Sequence, residues 1–504
     1  MAKYWWSSSI DRRSLHWVSW ENLIVPKMQG GMGFRDFESF NLALLGKHGW
    51  RLLTHPNSLC SRVLKGKYFH DRDLMEAQAP RSSSATWKVI IAGRKALECG
   101  LIKRVANGES ISTWTDRWIP STSTRIPTGR IGTDPIPRVS ELFDHETGAW
   151  DVDLIRRNFL PSDAAAILNI PLRATGGEDY FAWDLERSGV YSVKSAYRAL
   201  VTHNEQSAPE EGTVTDPSSS DKHMWTALWK LKVIPRVRVF WWRVLRGILP
   251  DYATLHHRHI CTTAICDLCK VAMEDLHHAL IGCTHARLFW DAAHDFMGVT
   301  LPLLNSNTWA RDVLMDDQIL DQDRGKIITV MHAIWPARNR WTHDHVSYDP
   351  VHAIKTVCND LLLLEFPKPM RGVTGLQWRP PDVGWIKINT DGATNIEASC
   401  AGGGGVARSH LSFKGAWSKP FPGVLDPFVA EALALREGVI FAQLRGFSHV
   451  VMEVDCLEVV NLWSSRDSSR AIVAPILDEI REKSSSFISF TIRHVSREAN
   501  TLAD

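Results

Sequence analysis

The chain has 504 residues, 44% of them hydrophobic and 23% charged, with a formal net charge of +2. Such a length calls for more than one domain, the composition is that of an ordinary soluble globular protein, and so small a net charge leaves local asymmetry to decide any charged partner. No apolar run approaches the roughly 20 residues that span a bilayer, and the opening "MAKYWWSSSIDRRSLHW" lacks the basic, apolar, small-residue order of a secretory signal.

Twenty-two Trp recur in both halves. Large aromatics usually fill cores, with base stacking as the other reading. Nine Cys are unevenly spread, three of them between Cys266 and Cys283. An odd, clustered set suits a reducing compartment and a metal better than a disulfide framework, so nucleus or cytoplasm is the expected location.

In chain order, residues 1–118 form a Trp-rich region with a helical pattern. Within it "SFNLALLGKHGWRLLTHP" offers Ser39 as an N-cap and Pro56 as a stop. Residues 119–201 begin with a loose connection and continue through "YFAWDLERSGVYSVKSAYRAL", a predicted short hairpin around Ser188-Gly189 running into a helix. Residues 202–223 are a polar linker that cannot pack a core. A helical region follows over 224–366, then a hinge over 367–384 and a final domain over 385–504.

The helical region opens with "WTALWKLKVIPRVRVFWWRVLRGILP". Between Asp221 and Ile260 eight Lys/Arg face two Asp/Glu. Interleaved cations and rings can neutralise phosphates and stack on bases; the alternative is an amphipathic helix with a solvated basic face. Next come Cys266, Cys269, His278 and Cys283, spaced C-x2-C-x8-H-x4-C, within a core of 225–295. Two Cys three apart can place both thiolates on one ion through a tight knuckle, and the His and third Cys complete a tetrahedron. One structural zinc is expected, with His277 competing with His278 as third ligand. The Asp316-Asp317 pair reads as a solvated face.

"WIKINTDGA" opens the final domain as a strand ending at Asp391. The alternation puts Lys387, Asn389 and Asp391 on one face and Ile386 and Ile388 on the other. Two strand-like pieces follow in "CAGGGGVARSHLSFKGAWSKPF". A helix then runs from an Asp426 cap and Pro427 to Gly446. Its apolar face is Phe428, Ala432, Leu435, Val439 and Ala442, with Glu431 at the edge of that face and Glu437 pointing away. "HVVMEVD" is a strand ending at Asp455, "CLEVVNLW" and "APILDEIREKSSS" are helices, "FISFTIRHV" is the last strand, and "SREANTLAD" starts a helix carrying Asn500 and Asp504.

Clustered carboxylates raise one another's pKa unless a cation joins them. Carboxylate and water ligands select Mg²⁺ or Mn²⁺. Two such ions roughly 4 Å apart can activate a water and stabilise the leaving oxygen of a phosphodiester.

The order of elements and the motifs "INTDGA", "AEALAL", "EVDC" and "HVSREANTLAD" resemble the ribonuclease H superfamily. More narrowly, they resemble the plant type found at the C-termini of LINE-like retroelement polyproteins. The resemblance implies an α/β ribonuclease H-like domain, with a mixed five-stranded sheet and flanking helices. It assigns Asp391, Glu431, Asp455 and Asp504 as ligands of two Mg²⁺ or Mn²⁺ ions and His494 as an aid to product release. The substrate it implies is an RNA–DNA hybrid, cut by hydrolysis to leave a 5′-phosphate and a 3′-hydroxyl.

The Cys266–Cys283 region and its basic preamble look like the mostly α zinc-binding domain that follows reverse transcriptase in such elements. "GGMGFRDFESFNLALLGKHGWRLL" and "NGESISTWTDRWIP" look like the connector beyond that polymerase, giving a mixed helical N-terminal region. Nothing in the chain matches the polymerase itself, so DNA synthesis is not implied. The alternative expectation is a catalytically impaired, nucleic-acid-binding remnant of a retroelement, because the family continues its final helix beyond the position of Asp504. Protein partners are not indicated.

Overall fold

The computed structural model describes residues 2–6, 15–120, 124–144, 146–172, 177–207, 219–365, 378–395, 400–465, 470–500 and 503. They fall into two compact units, neither continuous in sequence: Met1–Asp36 with Pro209–Gly372, and Phe37–Ala208 with Val373–Asp504. The stretch read as residues 1–118 is therefore divided in space at Asp36. Helices enter both ends of the polar linker, Val193–Ser207 from one side and Ser219–Lys230 from the other. Among the described residues no helix is long and apolar enough to cross a membrane.

In the second unit the helix Phe37–Thr54 lies against Ala85–Glu98. They approach so closely that a Cβ on Gly93 would sit 2.5 Å from the Leu45 carbonyl carbon, and one on Gly46 3.0 Å from the Ala96 Cβ. Ser39 is not the cap. It is buried inside the helix, where its hydroxyl accepts from Asn204 Nδ2 at 3.2 Å, so a tertiary partner takes the oxygen that a cap would use. The helix does stop at Thr54, two residues before Pro56.

The expected hairpin around Ser188-Gly189 also fails. Strand β1 (Leu101–Arg104) pairs antiparallel with β2 (Tyr180–Trp183) instead. Gly189, at φ +69°, folds back so that the Trp183 N–H donates to its carbonyl at 2.8 Å. In this arrangement the Trp183 indole is completely buried.

The first unit is helical. Pro235–Leu245 starts on Pro235 at its first turn and buries Phe240, Trp241 and Trp242. The expected stacking surface is thus core. Trp242 Nε1 donates to the Gly30 carbonyl at 2.9 Å, and Arg246 donates to the same oxygen through Nε at 3.0 Å and Nη2 at 2.6 Å. Arg238 Nη1 donates to the Trp229 carbonyl at 3.0 Å. The basic stretch serves folding first.

A buried ion pair ties the long helix Asp321–Asp344 to the Cys-rich segment. Arg338, 3% exposed at its side chain, forks onto Glu274, which is wholly buried. Glu274 also accepts the Tyr252 N–H at 3.2 Å.

The final domain is an α/β sheet of five strands in the order β5-β4-β3-β6-β7. Strands β3 (Ile386–Asn395), β4 (Cys400–Arg408) and β5 (Phe413–Pro422) form an antiparallel meander. Strands β6 (His449–Val454) and β7 (Ser489–His494) run parallel to β3 on its other side. Between β5 and β6 lies the helix Pro427–Leu444, capped by Asp426 accepting the Phe428 N–H at 2.9 Å and stopped before Gly446 at φ +66°. Its expected apolar face, Phe428, Ala432, Leu435, Val439 and Ala442, is buried, together with Ile388 of β3. Glu437, expected on the side pointing away from that face, is itself covered. It is 8% exposed, and Lys419 of β5 and Arg436 reach its carboxylate at 2.9 Å each, so the far side of the helix is covered too.

Removing one partner of a buried ion pair strands the other charge. Arg338→Met is expected to cost about 3–5 kcal/mol. The double variant with Glu274→Leu should recover part of that loss, as measured by urea unfolding midpoints of the three proteins.

Candidate functional site

The pairing of β3 with β6 ends at Asn389 opposite Glu453. Two residues beyond that last pair, on each chain segment, stand Asp391 and Asp455. Both carboxylates thus emerge at the carboxyl end of the parallel pair, where open α/β sheets bind ligands. The third carboxylate comes from above. A Cβ on Gly392 would lie 2.5 Å from the Ala430 carbonyl carbon and 2.6 Å from the Glu431 nitrogen, so only glycine lets the helix come this near. Asp391, Glu431 and Asp455 each offer an oxygen within 4.8 Å of the others.

The electrostatics show the strain of that gathering. Burial, then the charges of Asp391 and Asp455, push the Glu431 carboxyl up to about 8. Its Oε2 is buried with no hydrogen-bond partner among the described residues. An orphaned oxygen, a site shaped by a missing Cβ and three hard donors together fit a divalent cation. His494 lies beside the group, its Nε2 at 3.1 Å from the Asp455 carbonyl oxygen. Asp504 lies outside the described residues.

Sequence reading missed the layer that supports these acids. Asn389, fully buried, donates through Nδ2 to Glu453 Oε2 at 3.1 Å and to Asn500 Oδ1 at 3.0 Å, and its own oxygen accepts from Arg408 at 2.7 Å. Asn500 in turn donates to the Thr390 carbonyl at 3.1 Å, and Lys387 pairs with Glu453 at 2.7 Å. The network pins the middle of β3, the end of β6 and the last residue of the helix Arg497–Asn500 to one another. A signal was present: a central strand with Lys387 and Asn389 on one face has to bury polar atoms, which requires partners.

The Cys/His group forms in the other unit. The Cys266 N–H donates to Ala272 O at 2.8 Å and the Lys270 N–H to Cys266 O at 2.9 Å, folding Cys266 and Cys269 into a knuckle with Lys270 at φ +60°. His278–Gly282 is a π turn, closed by the Cys283 N–H donating to His278 O at 2.7 Å. Five residues advance an α-helix well past one turn but a π-helix only slightly, so the wider turn aligns His278 with Cys283. Cys266 and Cys283 Sγ are 3.9 Å apart, and Cys269 Sγ is 3.4 Å from His278 Nε2. The edge of a tetrahedron with a Zn–S bond of about 2.3 Å is about 3.8 Å. The hydrogen bond shared by Cys266 and Cys283 holds the Cys283 thiol down at about 7, while the same bond and burial push Cys266 up. Of the two histidines, His278 joins the group, whereas His277 meets the edge of Trp309 at 6.0 Å between centroids.

Comparison with known proteins agrees with both halves of this description. Residues 191–290 match the family of zinc-binding regions in reverse transcriptase, and residues 389–504 match the reverse transcriptase-like family. An uncharacterized mitochondrial protein of Arabidopsis thaliana is 40% identical over 120 residues, covering 24% of this chain and 78% of that protein. The chain belongs to this plant reverse transcriptase-associated family.

A second Arabidopsis thaliana protein, provisionally named a ribonuclease H protein, is 28% identical over 99% of this chain and 81% of its own length. Among solved structures, the N-terminal ribonuclease H domain of a Mycobacterium tuberculosis protein is 23% identical, covering 24% of this chain and 88% of that one, at a TM-score of 0.21. Ribonuclease H1 of the archaeon Halobacterium salinarum is 22% identical, covering 24% and 92%, also at 0.21. The C-terminal domain is ribonuclease H-like, and its strand order and family match carry that statement.

A carboxyl whose folded pKa lies above its unfolded value favours the folded state while protonated and loses that contribution as pH rises through the folded value. Without divalent ions, stability should therefore fall between about pH 5 and pH 9 more steeply for the wild type than for Glu431→Gln. The gap should be on the order of 1–2 kcal/mol once solvent screening at this partly open site is allowed for. Added Mg²⁺ should close the gap at the upper pH and act weakly at the lower, where the ion competes with the Glu431 proton. Thermal denaturation across pH, with and without Mg²⁺, reads both effects.

Proposed function

We propose that the C-terminal domain hydrolyses the RNA strand of RNA–DNA hybrids. The observation that carries this reading is the convergence of Asp391, Glu431 and Asp455 at the ends of two adjacent parallel strands, with one of the three holding its proton far above the usual carboxylate range. Those residues would hold two Mg²⁺ or Mn²⁺ ions, with Asp504 as the expected fourth ligand. Bound there, the ions supply Lewis-acid activation of water and offset charge on the phosphodiester. Glu431, whose carboxyl lies at about 8 without them, would hold them as a carboxylate. Asn389, Glu453 and Asn500 keep Asp391 and Asp455 aligned, and His494, beside the Asp455 carbonyl, is placed to move a proton or assist departure of the product.

The name of the full-length Arabidopsis relative supports the same class of hydrolase. We further propose that the chain derives from a LINE-type retroelement and that Cys266, Cys269, His278 and Cys283 hold one structural zinc. The closed set of four protein ligands leaves that metal no position for substrate.

The purified chain is expected to cut a labelled RNA–DNA hybrid only with Mg²⁺ or Mn²⁺, and Asp391→Asn to lower the rate more than about a hundredfold. Equal cutting by that variant would remove Asp391 from the reaction, and binding without cutting by the wild type would identify a non-catalytic module. Metal analysis of the chain as purified should find one zinc per molecule. Cys269→Ser should lose the ion together with several degrees of melting temperature.

A further inference from the structure

The face of the sheet that carries Lys387 opens into a cavity of about 530 Å³, floored by β3, β6 and β7 and walled by residues 378–382 and 494–499. Its lining includes His494, whose Nε2 is 3.1 Å from the Asp455 carbonyl oxygen, yet none of the three carboxylates lines it.

Three features of the lining point the same way. Two indoles, Trp378 and Trp385, offer flat apolar surface, and the guanidinium of Arg408 already covers Trp378 at 3.6 Å from its ring centre. The charge balance is positive. Glu453 is engaged by Lys387 at 2.7 Å and by Asn389 at 3.1 Å, whereas Arg379 and Arg493 are exposed and form no ion pair among the described residues, against Asp382 alone. Finally, Trp378 Nε1 and Ser496 Oγ are buried hydrogen-bonding atoms with no partner among the described residues. Buried donors left open beside an aromatic, cationic hollow call for a ligand with both a ring and an anion.

We infer that this hollow binds a nucleotide, its base stacked on Trp385, its phosphate drawn by Arg379 and Arg493, and its polar atoms meeting Trp378 Nε1 and Ser496 Oγ. The site needs no metal and stands whether or not the carboxylates hydrolyse a strand. A free mononucleotide and the unpaired end of a strand share this chemistry.

The test is fluorescence anisotropy of a labelled single-stranded RNA octamer with the full chain carrying Asp391→Asn, which leaves the probe uncut. Saturable binding is expected, weakened at least about fivefold by Trp385→Ala and by Arg493→Glu. Arg493 is exposed, so unchanged melting of Arg493→Glu would separate lost binding from lost folding. Displacement of the probe by AMP would assign a mononucleotide as sufficient; strand binding that AMP does not displace would assign an unpaired strand end. Absence of saturable binding, or both variants binding as tightly as the parent, would overturn the inference. Strand binding by a wild-type chain that cuts no hybrid would count against the hydrolytic reading and leave this one standing.

Discussion

Like charges repel, and Asp391, Glu431 and Asp455 each hold an oxygen within 4.8 Å of the other two. Most of the C-terminal domain can be understood as the scaffold that keeps this arrangement from relaxing. The strands leading to the two aspartates are paired with each other until two residues short of them, and β4 stays paired to β3 through Asp391 while β7 holds β6 up to Val454, so neither can swing away. The helix bearing the glutamate is locked down by its buried apolar stripe and by the absence of a side chain at Gly392. On the opposite face Asn389, Glu453, Lys387 and Asn500 satisfy one another. Rigidity on both sides leaves a proton or a cation as the only means of relieving the repulsion.

How much of this was legible depended on how far away the deciding partner lay. The helix around Glu431 could be read from its own punctuation, because cap, first-turn proline, apolar spacing and terminal glycine are local. Asp391 and Asp455 could be placed because a carboxylate at the end of an alternating strand is visible in a few residues. Asn389 could not be assigned a task, since its partners stand 64 and 111 positions downstream. That Glu437 is covered could not be read, because one-face periodicity takes no account of a long Lys419 side chain arriving from β5.

The same limit explains the basic, Trp-rich helix of the first unit. Its composition suits nucleic acid, and periodicity alone leaves that possibility open. What decides it is the carbonyl of Gly30, 212 residues upstream of Trp242, which accepts from both Trp242 and Arg246. The Cys/His group was easier, since its spacing is compact, but choosing His278 over its neighbour needed the π turn, and no residue type announces one. There the wide turn and the buried Arg338–Glu274 pair act together, one aligning the donors and the other anchoring the segment that carries them.

The chain passes between its two units at residues 36/37, 208/209 and 372/373. During synthesis the first 36 residues therefore emerge long before the stretch they pack with, and the Cys-bearing unit cannot close until translation has gone past Gly372. Early exposure of Trp5, Trp6, Trp17 and Trp20, which pack on the first unit's core, makes the nascent chain a natural client for chaperones.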